Sequence, residues 1–188
     1  ALEARLREKF GEKADDVFAA FRKTFPGESL SLLSSFDDKF RPASVEFARK
    51  KAAQSDAPTY LYDFALKFQL MGGVYAWHCS DIPFVFHNSH RVACCNIPGV
   101  TETLEDQMAG AWVHFAYTGN PNHKGLPKWE PFGPRETTMV FDKETRCCPD
   151  FDTELIDQIV RAVGKVEHML PPLKKADKSG EKKREWMY

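Results

Sequence analysis

The 188-residue sequence contains no apolar run near the roughly 20 residues that a membrane-spanning helix needs. Its first ten residues alternate charged and apolar groups, which is not the pattern of a secretory signal. Neither sign of charge is in excess: 26 Lys and Arg face 27 Asp and Glu, for a net charge of −1. With no basic stripe interleaved with aromatics, nothing recommends a nucleic-acid partner. A phosphate-cradling loop is missing too, because Gly72-Gly73 lacks the lysine and the strand-to-helix setting such a loop needs. No Cys-x-x-Cys occurs. Cys79, Cys94, Cys95, Cys147 and Cys148 form an odd set with two adjacent pairs, a poor disulfide framework because neighbours bridge only with strain. They point to a reducing cytoplasm, and a bridge between Cys94/Cys95 and Cys147/Cys148 stays open.

What is present is ordinary for a globular protein, with 43% hydrophobic and 28% charged residues. The length suits one domain or a piece of a larger one. Periodicity predicts helices over 2–10, over 14–25 with Val17, Phe18, Phe21 and Phe25 on one face, and over 29–35. A fourth opens at Arg41-Pro42 with Val45, Phe47, Ala48, Ala52 and Ala53 facing inward. Ala57-Pro58 breaks it, a strand follows over 59–64, and 66–73 is a loop ending in two glycines. Thr101 and the acids behind it read as a capped start to a long helix reaching about Tyr117. Its stripe of Leu104, Met108, Ala111, Trp112 and Phe115 reads as core. A second strand covers 137–141, and Asp152-Thr153 opens a last helix running from Leu155 to Val166 and stopped by Pro171-Pro172. The structured part is expected to be 1–172, with 173–188 a charged, disordered tail.

The chemistry concentrates at Trp77-His78-Cys79-Ser80-Asp81-Ile82-Pro83-Phe84-Val85-Phe86. His78 follows an apolar run and opens a polar turn, and Pro83 stops any continuing strand. A histidine held there by a rigid scaffold suits proton shuttling, because imidazole titrates near neutral pH.

That stretch resembles the His-Gly-x-Glu-Leu-Pro-Tyr-Val-Phe signature of type-B carboxylesterases, the α/β-hydrolase family that includes cholinesterases. Leu104 to Met108, Trp112-x-x-Phe115-Ala116-x-Thr118-Gly119-Asn120-Pro121-Asn122, Gly125-Leu126-Pro127-x-Trp129 and Met139-Val140-Phe141-Asp142 follow later motifs of the same family in order. The resemblance runs from about residue 10 to 165 and matches the C-terminal third of such an enzyme. It implies the fold class α/β: a helix-rich C-terminal part of an α/β-hydrolase, with few strands and incomplete without the N-terminal part. It also implies a serine ester hydrolase in which His78 is the general base and then the general acid. Asp81 would brace the loop, and Trp77, Cys79 and Val74 would stand near the substrate pocket. The serine and the Glu or Asp of the triad would come from the N-terminal portion, the obligatory partner; the other partner is a small carboxylic ester. No cofactor and no metal are implied. Two positions depart from the pattern: Cys79 stands where the family has Gly, and Asp81 where it has Glu.

Gly27-Glu28-Ser29-Leu30-Ser31 imitates a nucleophile elbow, but a helix and Pro26 precede it instead of a strand. Ser29 therefore reads as a helix cap. His78, Cys79, His87, His90, Cys94 and Cys95 could suggest zinc, yet their spacing fits no compact site. His114 reads as packing or surface, and His123 and His168 as exposed. The remaining alternative is a non-catalytic interaction module that keeps the fold without the chemistry.

Overall fold

A computed structural model describes residues 1–36, 38, 40–54 and 56–164. Val166, His168, Pro171-Pro172 and the 173–188 tail lie outside the described residues. Among the described residues, three strands form one sheet: β1 (Leu61–Phe64), β2 (Thr138–Phe141) and β3 (Arg146–Cys148). β1 and β2 run parallel, with Leu61 opposite Thr138 and Phe64 opposite Phe141. β2 and β3 are antiparallel. A parallel pair needs a long crossover, and here it carries α5 (Ile82–Val85) and α6 (Thr101–Thr118). β2 is buried throughout, which is why Met139-Val140-Phe141 reads as an unbroken apolar run. β3 was not expected from the sequence: Arg146-Cys147-Cys148 has neither β-branched residues nor enough length to show alternation.

Helices α1 (Leu2–Phe10), α2 (Ala14–Thr24) and α3 (Leu30–Ser35) form one cluster with α7 (Thr153–Val163), and α4 (Phe40–Gln54) meets β1 and α7. Leu6, Phe10, Val17, Phe18, Phe21 and Leu33 bury against Leu155 and Ile159 of α7. A second core joins Leu66, Phe68 and Phe84 to Leu104 and Met108 of α6 and to Met139 and Phe141 of β2. The inward face expected for α4 is narrower than its composition suggested. Val45 and Ala48 are buried, but Phe47 is 58% exposed, since one turn cannot point both 47 and 48 at the same core. Likewise Leu104, Met108 and Ala111 of the α6 stripe are core, whereas Phe115 is 48% exposed near the helix end. Thr101 does not cap α6 with its side chain. Its hydroxyl accepts from the Ile97 amide at 2.7 Å and donates to the Cys95 carbonyl. The same hydroxyl thus ties down the turns before the helix instead.

Between the two cores lies a buried ion pair. Arg41 of α4 grips Asp152 at the start of α7 with Nε and Nη2, each 2.8 Å from one carboxylate oxygen. It also donates to the Tyr62 carbonyl and the Thr138 hydroxyl, so one guanidinium joins α4, β1, β2 and α7. Burial alone would lower its pKa, but the hydrogen bonds and charge of Asp152 outweigh it and leave Arg41 raised and ionised. Asp63 of β1 sits nearby, and burial pushes its carboxyl above the usual range despite the pull of Arg41.

All five cysteines are free thiols, so Cys94/Cys95 and Cys147/Cys148 do not bridge. Burial, with the neighbouring Cys94, pushes the Cys95 thiol up to about 12, and Cys95 behaves as a small core side chain. Among the described residues, no helix is long and apolar enough to cross a membrane.

Candidate active site

β1 runs into the segment that presents His78. Phe68 and Val74 pair antiparallel through amides 2.8 and 2.9 Å from the opposing carbonyls. The expected loop at 66–73 is therefore a small hairpin, and Val74 belongs to its closing pair. Trp77 follows, its ring packed on Phe68 with centroids 4.6 Å apart. The turn then closes on itself: the Ser80 amide donates to the Trp77 carbonyl at 3.0 Å, and the Trp77 amide donates to the Ser80 hydroxyl at 3.1 Å.

His78 is exposed on this turn, with one face stacked on Phe40 at 5.3 Å and 16°. Among the described residues, none hydrogen-bonds its imidazole. Asp81 does not reach it; the Asp81 carboxylate accepts from the Tyr62 hydroxyl at 2.8 Å. Burial, and then the Asp81 charge, raise the Tyr62 pKa, so that proton stays on the phenol and the bond holds across the neutral range. Asp81 thus fastens the turn to β1. Tyr62 and Phe40 escaped sequence reasoning because an aromatic in a strand or helix reads as core filler, and only the fold shows what its edge meets.

Cys79 lies at φ +68°, the left-handed region that favours glycine. Left-handed backbone costs a side-chain-bearing residue about 1–2 kcal/mol, while glycine costs roughly 0.5–1 kcal/mol more entropy on folding. Cys79 is exposed and has little packing to lose. Cys79→Gly should therefore stabilise the chain by about 0.5–1 kcal/mol, read as a higher urea midpoint at unchanged slope.

The other sequence candidates separate. Ser29 caps α3, its Oγ accepting from the Ser31 amide at 2.9 Å. The His and Cys residues weighed for zinc do not converge, and no group of three or more potential ligands stands together among the described residues. His123 is less exposed than expected: its ring stacks on His114 and meets the Gln107 carbonyl at 3.1 Å.

His87, two residues beyond α5, places Nε2 2.8 Å from Asp106 and Nδ1 3.9 Å from Glu105. The Asp106 hydrogen bond is the main cause of its raised pKa. A histidine whose folded pKa is raised contributes stability fully present below its unfolded value near 6.5, and loses it as pH rises through the folded value. The side chain is 57% exposed, so screening holds the gain to about 0.5 kcal/mol. Urea midpoints at pH 5.5 and 8.5 should differ by less in Asp106→Asn than in the parent chain.

This geometry has relatives. The sequence profile of the Carboxylesterase family matches residues 5–158. The chain belongs to that family. Its carboxylesterase-family relatives include para-nitrobenzyl esterase of Bacillus subtilis, 30% identical over 160 residues, covering 82% of this chain and 30% of that protein. Phenmedipham hydrolase of Pseudarthrobacter oxydans is 27% identical over 138 residues, covering 70% of this chain and 28% of that protein. Among solved structures, an esterase from anaerobic Clostridium hathewayi that can hydrolyse aliphatic aromatic polyesters superposes with a TM-score of 0.75 at 38% identity. That match spans 86% of this chain and 32% of the esterase. A Geobacillus stearothermophilus carboxylesterase shares the fold at TM-score 0.61 and 24% identity, with coverage of 82% and 33%. The architecture is that of an α/β-hydrolase, helix-rich here with three strands in the sheet among the described residues, and the matches span 28% to 33% of the lengths of these four relatives.

Proposed function

We propose that this chain is the histidine-bearing part of a serine carboxylic-ester hydrolase, with His78 as the proton-transfer residue. The observation that carries the reading is the braced turn at 77–81, which exposes an imidazole just beyond the segment leaving β1 while Tyr62 and Asp81 hold the backbone still. The nucleophilic serine and the acid of the triad belong to the portion of the hydrolase outside this chain.

In the first half-reaction, His78 accepts the serine proton as the serine oxygen bonds to the ester carbonyl carbon. The imidazolium then returns that proton to the departing alkoxide, and alcohol leaves an acyl-serine. In the second, His78 takes a proton from water, the hydroxide adds to the acyl carbon, and the proton returns to serine as the carboxylic acid departs. Backbone amides would hold the oxyanion in both halves. No step calls for a cofactor.

The test is hydrolysis of a short p-nitrophenyl ester by the complete hydrolase, followed by a serine-directed phosphonate. Loss of activity with the phosphonate on a serine outside this chain is expected. Labelling of Ser29, or full activity after phosphonate treatment, would sink the reading.

A further inference from the structure

His78 is exposed, yet one face of its imidazole is covered. The ring lies 5.3 Å from the Phe40 ring with only 16° between the two planes, an offset stack of the kind that aromatic pairs favour. Phe40 is itself 47% exposed, so the demands of the core do not account for an aromatic side chain at that position.

Both sides of the stack are tied to β1, and through the same residue. Phe40 opens α4. Its neighbour Arg41 is buried against Asp152, with both carboxylate oxygens 2.8 Å away, and donates to the Tyr62 carbonyl at 3.3 Å. On the other side, the Tyr62 hydroxyl donates to Asp81, in the turn that carries His78, at 2.8 Å. That turn also closes on itself between Trp77 and Ser80. The backbone beneath each ring is therefore fastened to Tyr62, one through its carbonyl and the other through its hydroxyl.

An imidazole that transfers protons works through two nitrogens, and the N–H and lone-pair directions of both lie in the ring plane. Rotation about the bond that joins the ring to Cβ would misdirect both at once. A hydrogen bond to one nitrogen can fix the plane, but among the described residues none is made to His78. A contact on the ring face fixes the plane as well, and it leaves both edges open. We infer that Phe40 is a positioning residue that sets the plane of the His78 imidazole and so keeps both nitrogens aimed during proton transfer. This role rests on the reading of His78 as the proton-transfer residue.

The test compares variants of the complete hydrolase on p-nitrophenyl acetate. Phe40→Ala should lower kcat about 10-fold and leave KM within about twofold, since a misoriented reacting group loses rate and not binding. Phe40→Tyr keeps the flat face and should restore most of the rate. Phe40→Leu fills the space without a flat face and should resemble Phe40→Ala. In a His78→Ala background, Phe40→Ala should change the residual rate by less than about twofold, because the phenyl ring acts through the imidazole. In the present chain, the His78 ring-proton resonances should move downfield in Phe40→Ala, as the phenyl face no longer shields them. An unchanged kcat, a rise in KM at constant kcat, full recovery with Phe40→Leu, an undiminished effect without the imidazole, or unmoved resonances would each overturn the positioning role while leaving His78 as the proton-transfer residue. Activity that survives His78→Ala would overturn that catalytic reading, and the role of Phe40 with it.

Discussion

In the complete hydrolase, His78→Ala should lower kcat by at least about 10^3-fold, or about 4 kcal/mol of transition-state stabilisation, with KM changed little. In the proposed mechanism, removing the imidazole would leave the serine proton without an acceptor and the alkoxide without a donor, while oxyanion stabilisation and substrate binding would remain. Phosphonate labelling of the serine should slow in parallel, because it draws on the same proton transfer. The contrast is with Asp81→Asn. Asp81 holds the Tyr62 hydroxyl and not the imidazole, so its amide should cost at most about tenfold, whereas loss of a triad acid costs on the order of 10^4. A comparable collapse from Asp81→Asn would make Asp81 the acid and overturn the bracing role. Since His78 is exposed and stacks one face on the Phe40 ring, its truncation should leave the urea midpoint nearly unmoved.

Asp152→Asn, in contrast, should cost about 3–5 kcal/mol of stability. The substitution keeps shape but strips the charge that compensates Arg41, and the two side chains are only 8% and 4% exposed. The Tyr62 carbonyl and Thr138 hydroxyl would still accept from the guanidinium, yet neutral acceptors do not offset a buried cation. The double variant Arg41→Met, Asp152→Leu removes both charges and should return to within about 1 kcal/mol of the parent chain or exceed it. Urea unfolding of the three chains separates the cost of an orphaned charge from the net value of the pair. A loss under about 1 kcal/mol in Asp152→Asn would show that water reaches Arg41 after all.

The sequence disclosed what is local. The turn at 77–81 was readable because a histidine, a short acid and a proline at fixed spacing constrain the backbone whatever surrounds them. Ser29 as a cap and the final helix starting at Thr153 were readable for the same reason. Family motifs then tied these pieces to one fold, from about residue 10 to 165 against the matched 5–158. What stayed hidden depends on partners far along the chain. Arg41 finds Asp152 across 111 positions, Tyr75 finds Glu28 across 47, and no periodicity encodes either choice. Phe47 misled because hydrophobicity records what a residue would bury, not which way its helix is rotated. β3 was hidden because its pairing with β2, and not its own composition, makes it a strand.

Asp63 has a meaning outside the folded state. During synthesis, Thr59-Tyr60-Leu61-Tyr62-Asp63-Phe64 emerges well before Thr138–Phe141, the strand it pairs with. An aromatic, extended segment with open amides and carbonyls is a ready template for association with other nascent chains. At neutral pH the unfolded carboxylate places a full charge in the middle of that segment, the position where a gatekeeper resists such stacking. Once β2 arrives, burial raises the pKa of the same group, and the folded protein carries that penalty. The same carboxyl that costs stability in the folded sheet thus sets a charge against edge-to-edge association before β2 pairs.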